Sequence, residues 1–479
     1  QSIGGLYSLL VATQRRRDLL LGVREPEVDK KGIMLSGKYP DTVAPIILSA
    51  KRSKDYFLLV GPPGTGKTSV ALRGMVEEFL LEYSEDGEQP ALLLMAYTNR
   101  AVDEICAMLE GIAARYVRIG QPQTCGEAFC THLLPNFMDG ANCISEVRRR
   151  LRTVPIITGT VATMSAHTEL FNLRHFIAII DEASQVLEPQ LLRLLCDKSP
   201  DGHSGISRFI MIGDHKQLPA VVVQPEHKTK VTDPQLLAIG LENLRNSLFE
   251  RLYTLAQRRG TKGVTALLNR QGRMHPDICA FVNEQFYGGH LLPVGLPHQK
   301  ERLSLQFAET PLEEFVGRVR LGFVNVVPAA LADNNKINTD EAEMAARIIA
   351  ALASMLRRNG VPFNPERQVG VIVPFRNQIA VIRSALLRYL PDAGNAMTID
   401  TVECFQGSQR DYIIFSATVS QRYQLAMLSA PQTIEGLSVD RKFNVALTRA
   451  RKQFFMVGCR ELLSGSEVYR KFIETADIF

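Results

Sequence analysis

Short apolar runs alternate with helical stretches along most of the chain, beginning near residue 55. Each run is followed by polar loop residues. Alternation of this kind is typical of a mostly parallel sheet that is covered by helices on both faces. The first series of predicted strands covers residues 56–60, 92–96, 154–157, 176–180 and 209–212. The pattern therefore predicts an α/β fold.

A second series of apolar runs follows a helical stretch at residues 241–259. It covers residues 264–268, 369–373, 398–402, 412–417 and 454–457. The chain has 479 residues, 46% of them hydrophobic, which is enough for two or three cores. We predict a first domain at residues 51–240, with a helical insertion at about 121–152, and a second domain at residues 241–479. Residues 288–331 are predicted to be loop and hairpin.

The N-terminal residues 1–50 are predicted to be a helical segment. Because the first residue is Gln1 rather than methionine, we interpret this segment as the end of an upstream region.

Charge and cysteine content limit the classes of function. The formal net charge is only +5, but basic residues gather at 15–17, 51–54 and 148–152, which fits binding of a polyanion and equally fits solvated helix faces. Eight cysteines at irregular positions predict no disulfide framework, so we expect a reducing compartment, with the cytoplasm favoured and the nucleus left open. No apolar run approaches the roughly 20 residues that span a bilayer, so no membrane partner is expected.

The sequence GPPGTGKT follows a predicted strand and precedes a predicted helix, which is the context that a P-loop requires. Its glycines let backbone N–H groups turn toward phosphates, its lysine reaches the terminal phosphates, and its threonine hydroxyl binds magnesium. The predicted nucleotide site consists of Gly61, Pro62, Pro63, Gly64, Thr65, Gly66, Lys67 and Thr68.

Two carboxylates stand at the end of the apolar run at 176–180. Asp181 can hold magnesium, and Glu182 can orient and deprotonate the attacking water, because phosphoryl transfer needs charge neutralisation and positioning more than covalent chemistry. A P-loop and a carboxylate pair alone leave kinases, GTPases and ring-forming ATPases open, although no guanine-specific Asn-Lys-x-Asp motif is present.

Further motifs decide between these classes. Gln217 lies in GDHKQLP (213–219), after a strand, where it can sense the terminal phosphate. Arg273 in NRQGRMHP (269–276) and Arg449 in FNVALTRA (443–450) can act as arginine fingers from the second domain. Any one of these arginines is more often a surface or salt-bridge residue, but together they are hard to explain in that way. The motifs VPFRNQ (373–378) and VECFQG (402–407) complete the set.

This ordered set resembles the Upf-like branch of superfamily 1B helicases, from about residue 56 to residue 458. The resemblance implies two tandem RecA-like P-loop domains with ATP in the cleft between them. It also implies an ATP-dependent helicase or translocase that uses Mg²⁺ and moves along single-stranded nucleic acid, usually 5′ to 3′. Gln271 and Gln409 would then lie beside the nucleotide, and the nucleic-acid contacts would come from Thr98, Asn99, Thr160, Thr163 and Thr401.

The nucleic-acid prediction has a plain alternative, because Thr98 or Asn99 can simply cap a helix, and both roles can coexist. The chain contains no tryptophan, so base stacking must use Phe, Tyr or His. This favours binding through the backbone without sequence preference, and it leaves DNA and RNA equally open.

The sequence departs from the family pattern at three places. Residues 39–50 contain no glutamine, where relatives carry one that recognises adenine, so strict adenine selectivity is left open. Gln409 stands where relatives usually have a glutamate near the ribose. Residues 1–50 are too short for the family's β-barrel, so a barrel or a nuclease domain is expected upstream, if the chain has one.

A metal site is not predicted in the insertion. Its residues Cys125, Cys130, His132 and Cys143 lack the paired C-x2-C spacing of zinc sites. His215 and His275, although they lie inside motifs, are predicted to be structural hydrogen-bonding residues.

Two other functions compete with a helicase. The first is an ATP-controlled nucleic-acid clamp or ribonucleoprotein switch that binds without processive unwinding, since the motifs specify ATPase coupling and not strand separation. The second is a ring-forming ATPase that remodels proteins, which would take its arginine fingers from a neighbouring subunit. Because this chain carries both domains itself, we expect a monomer.

Overall fold

The strands form two parallel sheets that belong to two compact units. A computed structural model describes residues 2–29, 32–82, 89–172, 174–196, 205–303, 305–328, 336–392 and 395–479. The first unit comprises Gln1–Pro62, Gly66–His215 and Pro219–Leu268, and the second comprises Pro63–Thr65, Lys216–Leu218 and Asn269–Phe479. Two units with parallel sheets confirm the predicted α/β fold class.

Within its described residues, the first unit has a seven-stranded sheet in which every pair of neighbours is parallel. The strands are β1 (Tyr56–Val60), β2 (Ala91–Ala96), β3 (Tyr116–Ile119), β4 (Ile156–Thr160), β5 (Phe176–Asp181), β6 (Ile206–Gly213) and β7 (Thr265–Leu267). Their order across the sheet is β3-β4-β2-β5-β6-β1-β7. The carboxyl ends of all seven strands therefore share one edge.

Helices cover both faces of this sheet. The helices described in this unit are α1 (Ser2–Val11), α2 (Gln14–Leu20), α3 (Ala44–Arg52), α4 (Arg73–Phe79), α5 (Asn99–Glu110), α6 (Leu134–Phe137), α7 (Ile144–Arg152), α8 (Val161–Ala166), α9 (Glu188–Leu195), α10 (Pro234–Ala238) and α11 (Leu248–Arg259). Along β1, Leu58 packs in a core with α9 and α11, whereas Phe57 and Leu59 pack in a core with α3, α4 and α5. Successive strand residues point to opposite faces, so a continuous apolar run is what a sheet covered on both faces requires.

The N-terminal segment is part of the first unit, which differs from the predicted separate segment at residues 1–50. Arg251 of α11 is buried and donates hydrogen bonds to the Glu188 carboxylate (2.6 and 2.9 Å) and to the Leu20 carbonyl (2.7 Å). Leu9, Leu19 and Leu20 join the core of the unit. The hydrogen bond from Arg251 to the Leu20 carbonyl and the buried leucines tie the segment to the rest of the unit.

The division between the units also lies later than the predicted boundary at residues 240 and 241. Strand β7 pairs with β1 in the first sheet, although its residues were assigned to the second domain. Helix α11 packs on the same sheet, with Leu248 and Leu252 in its core. The apolar run at 264–268 fits a strand of either sheet equally well, so the sequence pattern could not show to which unit this strand belongs.

The second unit has its own parallel sheet, with the order β12-β11-β13-β16-β10-β17 in the described residues. Its strands, together with those of two small two-stranded sheets, are β8 (Arg270–Gln271), β9 (Leu292–Pro293), β10 (Leu321–Asn325), β11 (Val369–Val373), β12 (Thr398–Thr401), β13 (Arg410–Ser416), β14 (Gln432–Ile434), β15 (Leu437–Val439), β16 (Ala450–Gly458) and β17 (Asp477–Ile478). Its helices are α12 (Pro276–Tyr287), α13 (Pro297–Lys300), α14 (Pro311–Arg318), α15 (Thr339–Arg358), α16 (Pro365–Gln368), α17 (Arg376–Tyr389), α18 (Arg422–Leu428), α19 (Arg441–Leu447), α20 (Arg460–Leu463) and α21 (Glu467–Thr475).

The stretch at residues 288–331 is more regular than the predicted loop and hairpin. It contains α13, α14 and β10, and β10 pairs with β16 on one side and β17 on the other. No helix in the described part of the chain combines the length and apolarity needed to cross a lipid bilayer.

Candidate nucleotide and nucleic-acid site

The predicted phosphate-binding loop begins where β1 ends. The chain turns through Gly64 and Gly66, whose φ angles of +72° and +77° lie in the left-handed region that favours glycine. It then enters a helical turn at Lys67–Leu72 that continues into α4. The Lys67 ammonium group donates to the Gly61 carbonyl at 2.6 Å. The lysine is therefore folded over the loop that it is predicted to serve.

Thr68 and Asp181 come together at the same sheet edge. The Thr68 hydroxyl donates to Asp181 Oδ2 at 3.0 Å, and Asp181 is buried at the end of β5. A hydroxyl and a carboxylate oxygen are the kind of protein ligand that Mg²⁺ prefers. The two residues predicted to hold the metal thus lie in direct contact and fit a magnesium ion.

Glu182 is strained and has an unusual acidity. Its φ angle is 53°, in the left-handed region, and its N–H donates to Asp181 Oδ1 at 2.8 Å. Burial, together with the neighbouring Asp181 carboxylate, raises the pKa of Glu182 to about 7, although Lys67 opposes the shift. A carboxylate with a pKa near neutrality suits proton abstraction from water.

Thr98 joins the Glu182 carboxylate to the start of α5. Its hydroxyl donates to Glu182 Oε2 at 3.4 Å and accepts from the Ala101 N–H at 3.1 Å as the cap of α5, whose first residue is Asn99. β2 and β5 are paired, with Ala96 opposite Asp181, so the loops that follow the two strands are neighbours. The capping role is observed, and the nucleic-acid role of Thr98 and Asn99 stays a prediction.

Thr160 has a similar place on the next strand. It ends β4, opposite Ala96 of β2, and its hydroxyl accepts from the Thr163 N–H at 3.1 Å. The Thr160 and Thr163 hydroxyl oxygens are 2.8 Å apart. Both threonines therefore lie at the carboxyl edge of the sheet, as a strand-binding role requires.

Gln217 is grouped with the second unit, where it contacts Arg449. The buried Gln217 side chain accepts from Arg449 Nη2 at 3.3 Å. Arg449 is only 2% exposed, and its guanidinium also donates to the carbonyls of Val445 (2.9 Å) and Ser408 (3.3 Å). The structure thus brings together two residues that the sequence assigned to one phosphate.

Arg273 and the two predicted nucleotide-side glutamines form another group in the second unit. Arg273 Nε donates to Gln409 Oε1 at 3.0 Å. The fully buried Gln271 turns its amide into its own loop, accepting from the N–H groups of Arg273 (3.0 Å) and Met274 (2.8 Å). The Gly272 N–H donates to the carbonyl of Gly64 at 2.8 Å. Gln271 therefore shapes the arginine loop, and a direct contact of Gln271 or Gln409 with nucleotide stays a prediction.

Thr401 lines a cavity of about 430 Å³ in the second unit. Its neighbours there include Lys336 and Arg376, which bring positive charge, and Asn377, which brings an amide. The remaining lining residues are Pro374, Phe375, Glu403 and Cys404. A concave surface with cationic and amide groups suits a backbone phosphate.

The histidines and cysteines make local contacts. His215 packs against Tyr253 with ring centroids 5.0 Å apart and ring planes tilted by 36°, and His275 caps α12. The thiols of Cys125 and Cys130 both reach the Gly126 carbonyl. Among the residues that the structure describes, no group of three or more His, Cys, Asp and Glu is placed to hold a metal ion.

Two family models match the chain in succession. Both are described as an AAA domain, one over residues 46–223 and the other over residues 244–461. The DNA replication ATP-dependent helicase/nuclease DNA2 of Bos taurus is 27% identical, over 98% of this chain and 43% of its own length. The regulator of nonsense transcripts 1 homolog of Arabidopsis thaliana is 25% identical, over 86% of this chain and 32% of its own length. These matches support the predicted resemblance to the Upf1-like helicases of superfamily 1.

The chain spans less than half the length of these curated relatives. The putative helicase MOV-10 of Gallus gallus is a further relative, 26% identical over 98% of this chain and 49% of its own length. Among solved structures, the Arterivirus nonstructural protein 10 helicase and its complex with DNA each align with a TM-score of 0.39 and 13% identity. They cover 88% and 90% of this chain and 63% and 66% of the viral chains.

Three residues of the chain were not predicted from the sequence as candidates for the site. Arg376 and Asn377 lie within the motif at 373–378 but were not assigned a role, although an arginine and an amide at the start of a helix are a recognisable phosphate-binding signal. Lys336 lies in no motif and no periodic pattern. Its place in the cavity depends on the tertiary fold alone.

Proposed function

We propose that this chain is an ATP-driven motor that moves along single-stranded nucleic acid, DNA or RNA, in the 5′ to 3′ direction and displaces the paired strand. A line of hydrogen bonds in the first unit carries this proposal. It runs from Thr68 of the phosphate loop to Asp181, through the backbone of Glu182, and from the Glu182 side chain to Thr98. One end of the line binds nucleotide, and the other end lies at the edge where a strand is expected.

The chemistry follows from the same residues. ATP binds with its phosphates on the loop amides and on Lys67, and Thr68 and Asp181 would hold Mg²⁺. The metal ion neutralises charge on the phosphate oxygens when it is bound. Glu182 takes a proton from water, the water oxygen bonds to the terminal phosphorus, and the bond from that phosphorus to the bridging oxygen breaks to release ADP. The transferred phosphate leaves as inorganic phosphate.

We assign to Arg273 and Arg449 the role of stabilising the negative charge that develops on the transferred phosphate. The bond from Arg449 to Gln217 supports this assignment, because it joins an arginine to the residue expected to sense the terminal phosphate. The bond from Gly272 to Gly64 supports it for Arg273, because it ties the arginine loop to a residue of the phosphate loop. Fixed cations at this point typically contribute about 10³- to 10⁵-fold in rate.

The nucleic acid contacts this motor through backbone phosphates in our proposal. In the first unit the contacts are Thr98, Asn99, Thr160 and Thr163, and in the second the cavity at Thr401. Hydroxyl and amide groups bind phosphates without reading bases. We further propose that the chain acts as a monomer in a reducing compartment, which the free state of Cys106, Cys125, Cys130, Cys143, Cys196, Cys279, Cys404 and Cys459 supports.

Steady-state ATP hydrolysis with and without oligo-dT and oligo-rU tests the coupling, with Glu182→Gln as the inactive control. We expect both a strand-dependent increase in kcat and its loss in the variant. Duplexes with a 5′ or a 3′ single-stranded tail, followed by release of a labelled strand in the presence of a trap, test the direction. Hydrolysis without strand release beyond trapping would support the clamp instead. No stimulation by either polymer would contradict a nucleic-acid motor.

A further inference from the structure

The loop that carries Arg273 is held by a short helix outside every motif. This helix is α13, and its Gln299 is only 3% exposed. Gln299 Oε1 accepts from the N–H groups of Gly295 (2.8 Å) and Leu296 (3.1 Å), and Nε2 donates to the carbonyls of Gln271 (3.0 Å) and Met274 (2.9 Å). A side-chain amide has two donors and two acceptor positions, so the bonding capacity of Gln299 is filled.

The neighbouring residue His298 contacts the carbonyl of Arg273, which lies between Gln271 and Met274 in the loop. Its Nε2 lies 2.9 Å from the Arg273 carbonyl oxygen. Because a carbonyl oxygen only accepts, the His298 imidazole must carry its proton on Nε2. Side chains of helix α13 therefore form hydrogen bonds with the carbonyls of Gln271, Arg273 and Met274.

The N–H groups of the same loop are held from other directions. The Gln271 side chain accepts from Arg273 and Met274, while the Gly272 N–H bonds to Gly64 and the His275 N–H bonds to Arg451 at 2.8 Å. The backbone on both sides of Arg273 is thus fixed, and only its side chain extends to Gln409 and Thr448. The position of the guanidinium is set by this backbone.

We propose that Gln299 and His298 are positioning residues for Arg273. They hold its peptide groups so that the guanidinium meets the transferred phosphate in the geometry that hydrolysis needs. This inference rests on the proposed function, in which Arg273 acts on that phosphate. Displacement of a catalytic group by about 1 Å can cost about 100-fold in rate.

A buried glutamine that only stabilises the unit offers a matched control. Gln453 of β16 is 0% exposed, and its Nε2 likewise donates to two backbone carbonyls, those of Val316 (2.7 Å) and Val319 (2.6 Å). Neither carbonyl belongs to the Arg273 loop. A loss of rate that follows from a weakened fold would appear in Gln453→Ala as well as in Gln299→Ala.

The experiment is a double-mutant cycle on the full chain, measured as ATP hydrolysis with saturating oligo-dT. We expect Gln299→Ala to lower kcat by about 10- to 100-fold, and Arg273→Ala to lower it by about 1,000-fold. The double variant should be no slower than Arg273→Ala alone, because a positioning residue has nothing left to position. Oligo-dT affinity, measured by fluorescence anisotropy, should be unchanged in Gln299→Ala, and Gln453→Ala should retain the wild-type kcat.

An equal loss from Gln299→Ala in the wild-type and Arg273→Ala backgrounds would overturn the inference, and so would a wild-type kcat in Gln299→Ala. A wild-type kcat in Arg273→Ala would instead refute the assigned role of Arg273 in the proposed function. If Gln299→Ala does not fold, two variants of His298 test the inference instead. His298→Phe should lower kcat, and His298→Gln should restore it, because the glutamine amide can donate to the Arg273 carbonyl. Equal rates in these two variants would overturn the inference.

Discussion

Glu341 predicts a pH dependence of stability that can be worked out from the structure. It is 0% exposed within α15. Its Oε2 accepts from the Ser416 hydroxyl (2.8 Å) and the Thr418 N–H (2.7 Å), and its Oε1 accepts from Asn338 Nδ2 (3.1 Å). Burial raises the pKa of Glu341 from its ordinary 4.5 to about 7, even though these hydrogen bonds favour the carboxylate.

The sign follows from proton binding. Because the pKa is higher in the folded chain, the native state binds more protons than the unfolded state between pH 4.5 and about 7. The stabilising effect of the protonated form is complete below pH 4.5 and is lost as the pH rises toward about 7. A difference of about 2.5 pH units corresponds to about 3 kcal/mol, of which about 2 to 3 kcal/mol falls between pH 5 and pH 8.

Glu341→Gln removes this titration with little change of shape. The free energy of unfolding of the wild type relative to the variant should therefore fall by about 2 to 3 kcal/mol from pH 5 to pH 8. The sequence contains no tryptophan, so urea unfolding would be followed by far-UV circular dichroism, with the transitions of the two units fitted separately.

Glu313→Gln provides the matched control. Glu313 is also buried, and although burial raises its pKa, hydrogen bonds from Arg358 and from the Glu309 backbone lower it below 4.5. Its carboxylate is therefore ionised in the folded chain throughout pH 5 to 8, and this variant should show little pH-dependent difference from the wild type. A pH-independent difference for Glu341→Gln, or the same slope in both variants, would refute the reasoning.

Three further predictions concern hydrolysis. Glu182→Gln should lower kcat by about 10²- to 10⁴-fold. The rate of phosphate release by the wild type should increase as the pH rises through about 7, because burial raises the pKa of Glu182 to that value. A wild-type rate that does not change with pH would contradict this. Thr98→Val should abolish stimulation by oligo-dT and leave unstimulated hydrolysis, whereas Ser247→Ala, which removes the cap of α11, should keep stimulation. Gly64→Ala should abolish hydrolysis, because its φ is +72° and a Cβ would lie 2.4 Å from the Arg273 Cβ, whereas Gly260→Ala, at φ +65° in open space, should only lower the thermal midpoint.

The sequence predicted those parts of the fold in which one local pattern decides. The apolar runs at 56–60 and 369–373 match β1 and β11. In contrast, β3 was not predicted, because four residues with Arg118 among them do not form a recognisable apolar run. Arg118 is nevertheless buried, because it pairs with Asp103 of α5. A strand of this kind can be recognised only when the ion pair between Arg118 and Asp103 is known from the structure.

The candidate site divides in the same way. Thr68 and Asp181 could be brought together from the sequence, because a P-loop and a strand-end carboxylate have fixed places in a parallel sheet. Gln299 could not, because its hydrogen bonds go to the carbonyls of Gln271 and Met274, 28 and 25 positions away in the chain, where the loop follows β8, a strand of two residues. No local pattern marks strands so short. Gln271 lies between these cases, since its motif was recognised but the direction of its amide was not.

Thr98 links the two halves of the proposed function through a single proton. Its hydroxyl oxygen accepts from Ala101, and its one hydrogen is donated to Glu182, which lowers the pKa of that carboxyl against the larger effect of burial. A strand phosphate can take this hydrogen only by removing it from Glu182. Under the proposed function, strand and catalytic base therefore compete for one donor. The contact is long, at 3.4 Å, so little free energy is needed to break it.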